Sequence, residues 1–234
     1  MSSMAGVGSA SSSGESTTWA ARHEQAPAEM LEQAVRAFFP PDAPCSIEIE
    51  TRGPAEGLQG RFSKFHLELS PTTVKGMPVQ SAAVDLQDFA LDLPLLRTTG
   101  KIRVFSAAQA SYTVAIPEAG LNWLLAGNKR LGKDRPPRLE LQKGQVVLSG
   151  RIRTDLFASS FRLKGALAAR KDKEVHFIPD SVSVGRLHLP AFLMDVVAGS
   201  LNPVATIGKF AEMQRCNLRI REIVVTPGLL TVSG

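Results

Sequence analysis

The chain is short of the residues from which covalent or catalytic frameworks are built. Two cysteines, Cys45 and Cys216, stand in 234 residues. They are too few for a disulfide scaffold and lack the paired spacing of a metal site, so both are expected to be reduced, buried thiols. Aromatic residues make up 6% of the chain, with one Tyr and two Trp. That is little from which to build the stacking platforms on which single-stranded nucleic acids rest. No apolar run reaches the roughly 18 residues of a membrane-spanning helix. The first 20 residues lack the basic start and apolar stretch of a secretory signal, so a cytoplasmic location is expected. The Ser-rich start would suit plastid import, but Arg22 is the only basic residue before Pro27, which makes import the weaker expectation.

Catalytic constellations are missing as well. His23, His66, His176 and His188 have no partner at motif spacing, and there is no H-E-x-x-H, no G-x-S-x-G, no P-loop and no G-x-G-x-x-G opening a helix. Cys45 would need a base brought to it by the fold before it could act as a nucleophile. Asp85, Asp88 and Asp92 resemble a carboxylate cluster, yet the alternation around them puts them on the solvent side of one strand. The expectation is a protein without catalytic residues, metal or cofactor.

What the chain does have is apolar substance and a local excess of positive charge. Hydrophobic residues reach 44% and charged ones 21%, enough for a packed core. The net charge is +5, but residues 129–173 alone hold 13 basic side chains against four acidic ones, a local +9. Such a concentration suits an anionic partner, either lipid headgroups or nucleic acid, with a solvated sheet face as the alternative.

Along the chain, residues 1–26 are rich in Ser, Gly, Ala and Thr without periodicity and read as a disordered tail. Leu31, Ala34, Val35 and Phe38 recur at helical spacing until Pro40 and Pro41 stop them, predicting a helix over 28–39. From Cys45 the period becomes two: Cys45, Ile47 and Ile49, then Phe65, Leu67 and Leu69, predict strands with one buried face. Between 82 and 93 the apolar set moves from even numbers (Val84, Leu86) to odd ones (Phe89, Leu91, Leu93), so a β-bulge is expected near Gln87 and Asp88. Strands follow at 102–105 and 112–116, and a short apolar helix at 118–126 ends at Gly127. Alternation then returns through 138–153, 161–167, 175–177 and 182–189. Pro190 opens an apolar segment in which only Asp195 is charged before Lys209. Pro203 should divide it into two helical pieces joined near Leu201 and Asn202. A hairpin about Pro227–Gly228 closes the chain. About a dozen strands, three or four helices and no βαβ alternation predict an α+β fold with a large, curved antiparallel sheet around two to four apolar helices, as one domain over 27–234.

One-faced strands must cover their apolar side, since each exposed side chain there forgoes roughly 1.5–3 kcal/mol. The cover can be protein alone, a closed core, or an interior left partly open to acyl chains; periodicity does not tell these apart. The phrases PEAGLNWLL (117–125), PRLELQKGQVVLSG (137–150), SVSVGRLHLPAFLMDVV (181–197), SLNP (200–203) and IREIVVTPGLLTVSG (220–234) resemble the LmeA-like phospholipid-binding family over residues 28–234. That resemblance implies a half-barrel similar to the lipid-binding TULIP domains, and phospholipid affinity without catalysis. On this footing Lys129, Arg130, Lys133, Arg135 and Arg138 are the expected headgroup contacts. Trp123, Leu124, Phe192, Leu193, Met194, Val196 and Val197 are the expected border of an acyl-chain groove. The expected partner is an anionic phospholipid or membrane surface on which the protein sits peripherally. The alternative is a closed-core scaffold whose basic face binds an acidic protein, with nucleic acid disfavoured.

Overall fold

The computed structural model describes residues 26–127, 136–153, 158–185, 187–188, 202, 204–206 and 218–234. Within them the chain runs α1 (Pro27–Arg36), β1 (Cys45–Glu50), α2 (Pro54–Leu58), β2 (Arg61–Leu69), β3 (Thr72–Val74), β4 (Met77–Val79) and β5 (Ser81–Leu91). It continues through α3 (Leu93–Thr99), β6 (Val104–Pro117), α4 (Glu118–Gly127), β7 (Arg138–Gln142), β8 (Gln145–Arg153), β9 (Ala158–Arg170) and β10 (Glu174–Val184). Two short strands, β11 (Leu187–His188) and β12 (Ala205–Thr206), precede the closing pair β13 (Glu222–Thr226) and β14 (Leu229–Ser233). The α+β class and the large antiparallel sheet expected from the alternation are present, with the strands shared between two sheets. The first has the order β1-β2-β5-β6-β14-β13; the second is β11-β10-β9-β8-β7 with β12 also on β10. Hairpin β3–β4 stands apart, and among the described residues no sheet closes into a barrel.

The first sheet buries its apolar side against α1 and α3. Proline at the first turn, Glu29 near the N-terminus and Arg36 in the last turn suit the helix α1. It lays Met30, Leu31 and Val35 on Phe62, Phe65, Leu86 and Phe89. Phe38, expected on that packed face, is instead 47% exposed, because the helix ends at Arg36 and the turn after it rotates Phe39 inward in its place. Of the expected tail, Ala26 alone is described; its carbonyl accepts from Met30 N at 3.1 Å and starts the helix.

The expected break in alternation is real but differs in form. Leu86 and Phe89 both enter the core, as do Phe62 with Phe65 and Ala107 with Ala110. The register is unbroken at Gln87 and Asp88, with Phe62 opposite Phe89 and Lys64 opposite Gln87, then Phe89 opposite Ala107 and Gln87 opposite Gln109; it shifts three residues on, between Ala90 and Leu91, against β6. Each of three neighbouring strands therefore carries the extra residue, and a crease crosses the sheet where a one-sided bulge was expected. Asp88 sits in the crease at φ +45°, a conformation Asp tolerates better than most residues. The Phe62 and Phe89 rings stack at 5.1 Å beside it.

Four further expectations are corrected. Leu93 does not continue the strand: Asp92 accepts from Leu95 N at 3.0 Å and caps α3, with Pro94 inside the first turn. The strands expected at 102–105 and 112–116 are one, β6. The strands on either side of Pro179 are likewise one, β10, whose register shifts between Pro179 and Ser181. The helical piece expected after Pro203 is not helical at 205–206, where Ala205 and Thr206 pair with Val175 and Glu174. β-branched Val204 and Thr206 favour the extended form, and the chain is already tied to β10 at Asn202, described below.

The closing hairpin joins the two sheets. β14 pairs with β6 of the first sheet, while Val225 and Leu230 pack with Leu141, Leu148, Leu163 and Phe177 of the second. Gly144 N donates to Val225 O at 2.9 Å across the junction.

Candidate functional site

Helix α4 is apolar on two sides, one packed into the second core and the other partly exposed. Leu121 and Leu125 join the second core, whereas Trp123 is 45% and Leu124 41% exposed. Glu118 and Asn122, one turn apart, face β7. Its edge presents the backbone of Leu139 with no strand beyond it, and the Asn122 amide takes that place: Nδ2 donates to Leu139 O and Oδ1 accepts from Leu139 N, both at 2.8 Å. Glu118 Oε2 accepts from Leu141 N at 2.9 Å. A primary amide carries the same donor and acceptor as a peptide, so it can satisfy an edge that would otherwise stay open. Asn202 repeats the device on β10, accepting from Phe177 N at 2.7 Å and donating to Phe177 O at 2.8 Å.

On its other side α4 meets hairpin β3–β4. A Cβ at Gly120 would collide with the Pro78 carbonyl oxygen, so the close approach requires glycine there. The two-residue turn of that hairpin, Lys75 at φ +51° and Gly76 at φ +85°, has the signs of a type I′ turn. It brings Gly76 against the Trp123 ring, where an added Cβ would lie 3.3 Å from Cζ2. Lys75 Nζ sits 5.5 Å from the centroid of the Phe38 ring. Three exposed groups from distant segments, Phe38, Lys75 and Trp123, are thus gathered around one turn, with Leu124 beside Trp123 on the helix.

The positive charge of 129–173 takes form on the second sheet. Arg138, Ser149, Arg162 and Ser183 are aligned across β7, β8, β9 and β10, with Arg151 opposite Ser160 and Lys164 opposite Val147 nearby. These residues alternate with Leu139, Leu148 and Leu163 and so point away from the second core. Among the described residues none of Arg138, Arg151, Arg162 and Lys164 is paired with a carboxylate. Of the expected headgroup contacts, Arg138 is exposed at the start of β7. Lys129, Arg130, Lys133 and Arg135 lie outside the described residues, as do Phe192, Leu193, Met194, Val196 and Val197 from the expected groove.

Several other titratable groups are paired within the fold. On the outer face of the first sheet His66 Nδ1 lies 2.7 Å from Asp85, and Lys64 bridges Glu48 at 2.9 Å and Glu50 at 3.4 Å. The hydrogen bond from Lys64 holds the Glu48 carboxyl below its ordinary range. Asp88 pairs with Arg52, and Asp92 is the cap described above. His176 Nε2 is 2.9 Å from Glu174, and that bond lowers the Glu174 pKa. Burial pushes the Cys45 thiol up, against the pull of Arg36, the direction opposite to that of an activated nucleophile. Among the described residues no group of three His, Cys, Asp or Glu could hold a metal ion. No described helix is long and apolar enough to cross a membrane.

A shallow cleft of about 340 Å³ opens between α1 and α3, lined by Met30, Ala34, Leu96 and Gly100 among others. It touches neither α4 nor the cationic face.

A model of the LmeA-like phospholipid-binding family matches residues 24–234, nearly the whole chain. No curated protein and no solved structure matches the chain significantly.

Proposed function

From the premise that the chain belongs to the LmeA-like phospholipid-binding family, we propose that it is a non-catalytic protein that docks peripherally on anionic membrane and takes acyl chains into an apolar groove. Lys129, Arg130, Lys133, Arg135 and Arg138 are the headgroup contacts in this reading. Trp123, Leu124 and the apolar residues after Pro190 border the groove. The observation that carries it is the two-sided apolarity of α4: beside the buried Leu121 and Leu125, Trp123 and Leu124 leave much of their apolar surface exposed and in need of a cover. Lipid meets that need, and water does not. The cations set the strength. At about 1 kcal/mol per Lys or Arg near an anionic surface, five engaged residues supply roughly 5 kcal/mol, which gives transient attachment.

Vesicle flotation tests this. The protein should float with phosphatidylcholine vesicles containing about a third phosphatidylglycerol, and much less with phosphatidylcholine alone or at high salt. Equal flotation with both vesicle types would remove the anionic part of the proposal. Absence of flotation, together with retention of an acidic protein on the cationic face, would favour the scaffold alternative.

A further inference from the structure

Resting on the phospholipid reading above, we propose that Phe38 and Trp123, gathered around the Lys75–Gly76 turn, together with Leu124 beside Trp123 on α4, are the part of the molecule that inserts into the bilayer. The two rings and the leucine enter the boundary between headgroups and acyl chains, and the Lys75 ammonium stays at the level of the lipid phosphates. Three observations point to this surface. Phe38 and Trp123 are each about half exposed, and both flank the same two-residue turn. Large aromatic rings that keep one side packed and one side open are the side chains that partition to membrane interfaces. Lys75 Nζ sits over the Phe38 ring at 5.5 Å from its centroid, so a positive charge accompanies the rings and can meet lipid phosphate at the interface.

Helix α4 is held on two sides. Gly120 against Pro78 and Asn122 against Leu139 fix α4 to two neighbours, so Trp123 is presented in one orientation. The only acid of α4, Glu118, is engaged by Leu141 N. In sequence, the segment that follows α4 brings Lys129, Arg130, Lys133 and Arg135 within eight residues of Gly127, a composition complementary to an anionic surface. Size argues against a second copy of the chain as the occupant. Three half-exposed side chains offer about 300 Å², at roughly 100 Å² for each half-exposed aromatic, whereas a stable interface needs about 800 Å² on each partner. A bilayer has no such threshold, because a few interfacial anchors add to the electrostatic attraction.

Trp123 is its own probe. In full-length protein carrying Trp19→Phe, Trp123 is the only tryptophan. On addition of vesicles of phosphatidylcholine with about a third phosphatidylglycerol, its emission should move to the blue and be quenched by lipids brominated near the top of the acyl chain. Phe38→Ser with Lys75→Asn, both at exposed positions outside the groove border, should reduce vesicle partitioning about tenfold or more while circular dichroism and bound phospholipid in native mass spectra stay unchanged. Protein that carries phospholipid but shows no change in Trp123 emission with vesicles would overturn this surface and leave the phospholipid reading standing. Protein with neither bound phospholipid nor vesicle binding would overturn both. Self-association abolished by the same two substitutions, without an emission change on vesicles, would assign the patch to a second copy and overturn the proposal.

Discussion

Replacing Asn122 by alanine gives a change whose sign the structure decides. Asn122 sits inside α4, where alanine is the better helix former by roughly 0.5–0.7 kcal/mol, so helix propensity alone predicts a more stable protein. Against that stand two hydrogen bonds that satisfy the outward N–H and C=O of Leu139, each at 2.8 Å. At a net value near 1 kcal/mol per bond, with an added cost for leaving half-buried backbone groups unpaired, their loss comes to about 2–3.5 kcal/mol. The difference is a destabilisation of about 1.5–3 kcal/mol, which for a domain of this size is a fall in Tm of roughly 3–12 °C. Urea unfolding and a thermal melt measure it, and hydrogen exchange at the Leu139 amide reports it locally. Asn122→Asp supplies the control. It keeps an acceptor for Leu139 N but sets a carboxylate against Leu139 O, so the fold favours its protonated form. Its deficit should therefore shrink as pH falls through the raised carboxyl pKa. An Asn122→Ala protein as stable as the parent, or more stable, would refute the idea that this amide closes the edge of β7.

Three other changes test neighbouring steps. Gly120→Val should cost at least 2 kcal/mol or so, since its Cβ meets backbone, the Pro78 carbonyl, which moves only with β4; unchanged urea unfolding would show the α4–β4 approach to be looser than described. His176→Phe should let the Glu174 carboxyl return toward its ordinary pKa, read by carboxyl NMR titration. Because that pKa is lowered in the fold, the bond stabilises above the unfolded-state value and its contribution fades as pH falls through the folded one. The parent should thus lose more stability than the variant on acidification below about pH 4.5, and parallel acid melts would contradict this. Lys129, Arg130, Lys133 and Arg135 changed together to Glu should abolish flotation on anionic vesicles at low salt without lowering Tm by more than a degree or two; unaltered flotation would remove these four from the headgroup contacts.

Period-two alternation made most strands of both sheets legible, 3.6-residue periodicity marked α1, and an apolar run begun after Pro117 and ended at Gly127 marked α4. The closing hairpin could be read from its Pro227–Gly228 turn. These are local signals, carried by neighbours in the chain. The division into two sheets was not legible, because β14 finds its place beside β6 by a pairing across more than a hundred residues. Helix α3 was hidden because Leu93 happened to continue the odd-numbered apolar set. The Asp92-x-Pro94 signature of a capped first turn was present and would have shown it. The two asparagines that close strand edges stood in plain view in the phrases 117–125 and 200–203, each preceded by Leu. Their partners lie 17 and 25 residues away, a separation that no helix or strand period encodes. The candidate site divides the same way. Positive charge could be counted along the chain, whereas the gathering of Phe38, Lys75 and Trp123 depends on three segments meeting at one turn.

Bound lipid is the most direct test of the account. Native mass spectrometry of the full-length protein, after incubation with vesicles of mixed phospholipids and removal of the vesicles, should show species heavier than the apoprotein by one or two phospholipid masses. Released lipids should be enriched in the anionic classes. A spectrum of apoprotein alone, from protein shown by circular dichroism to be folded, would contradict the phospholipid-binding function proposed here.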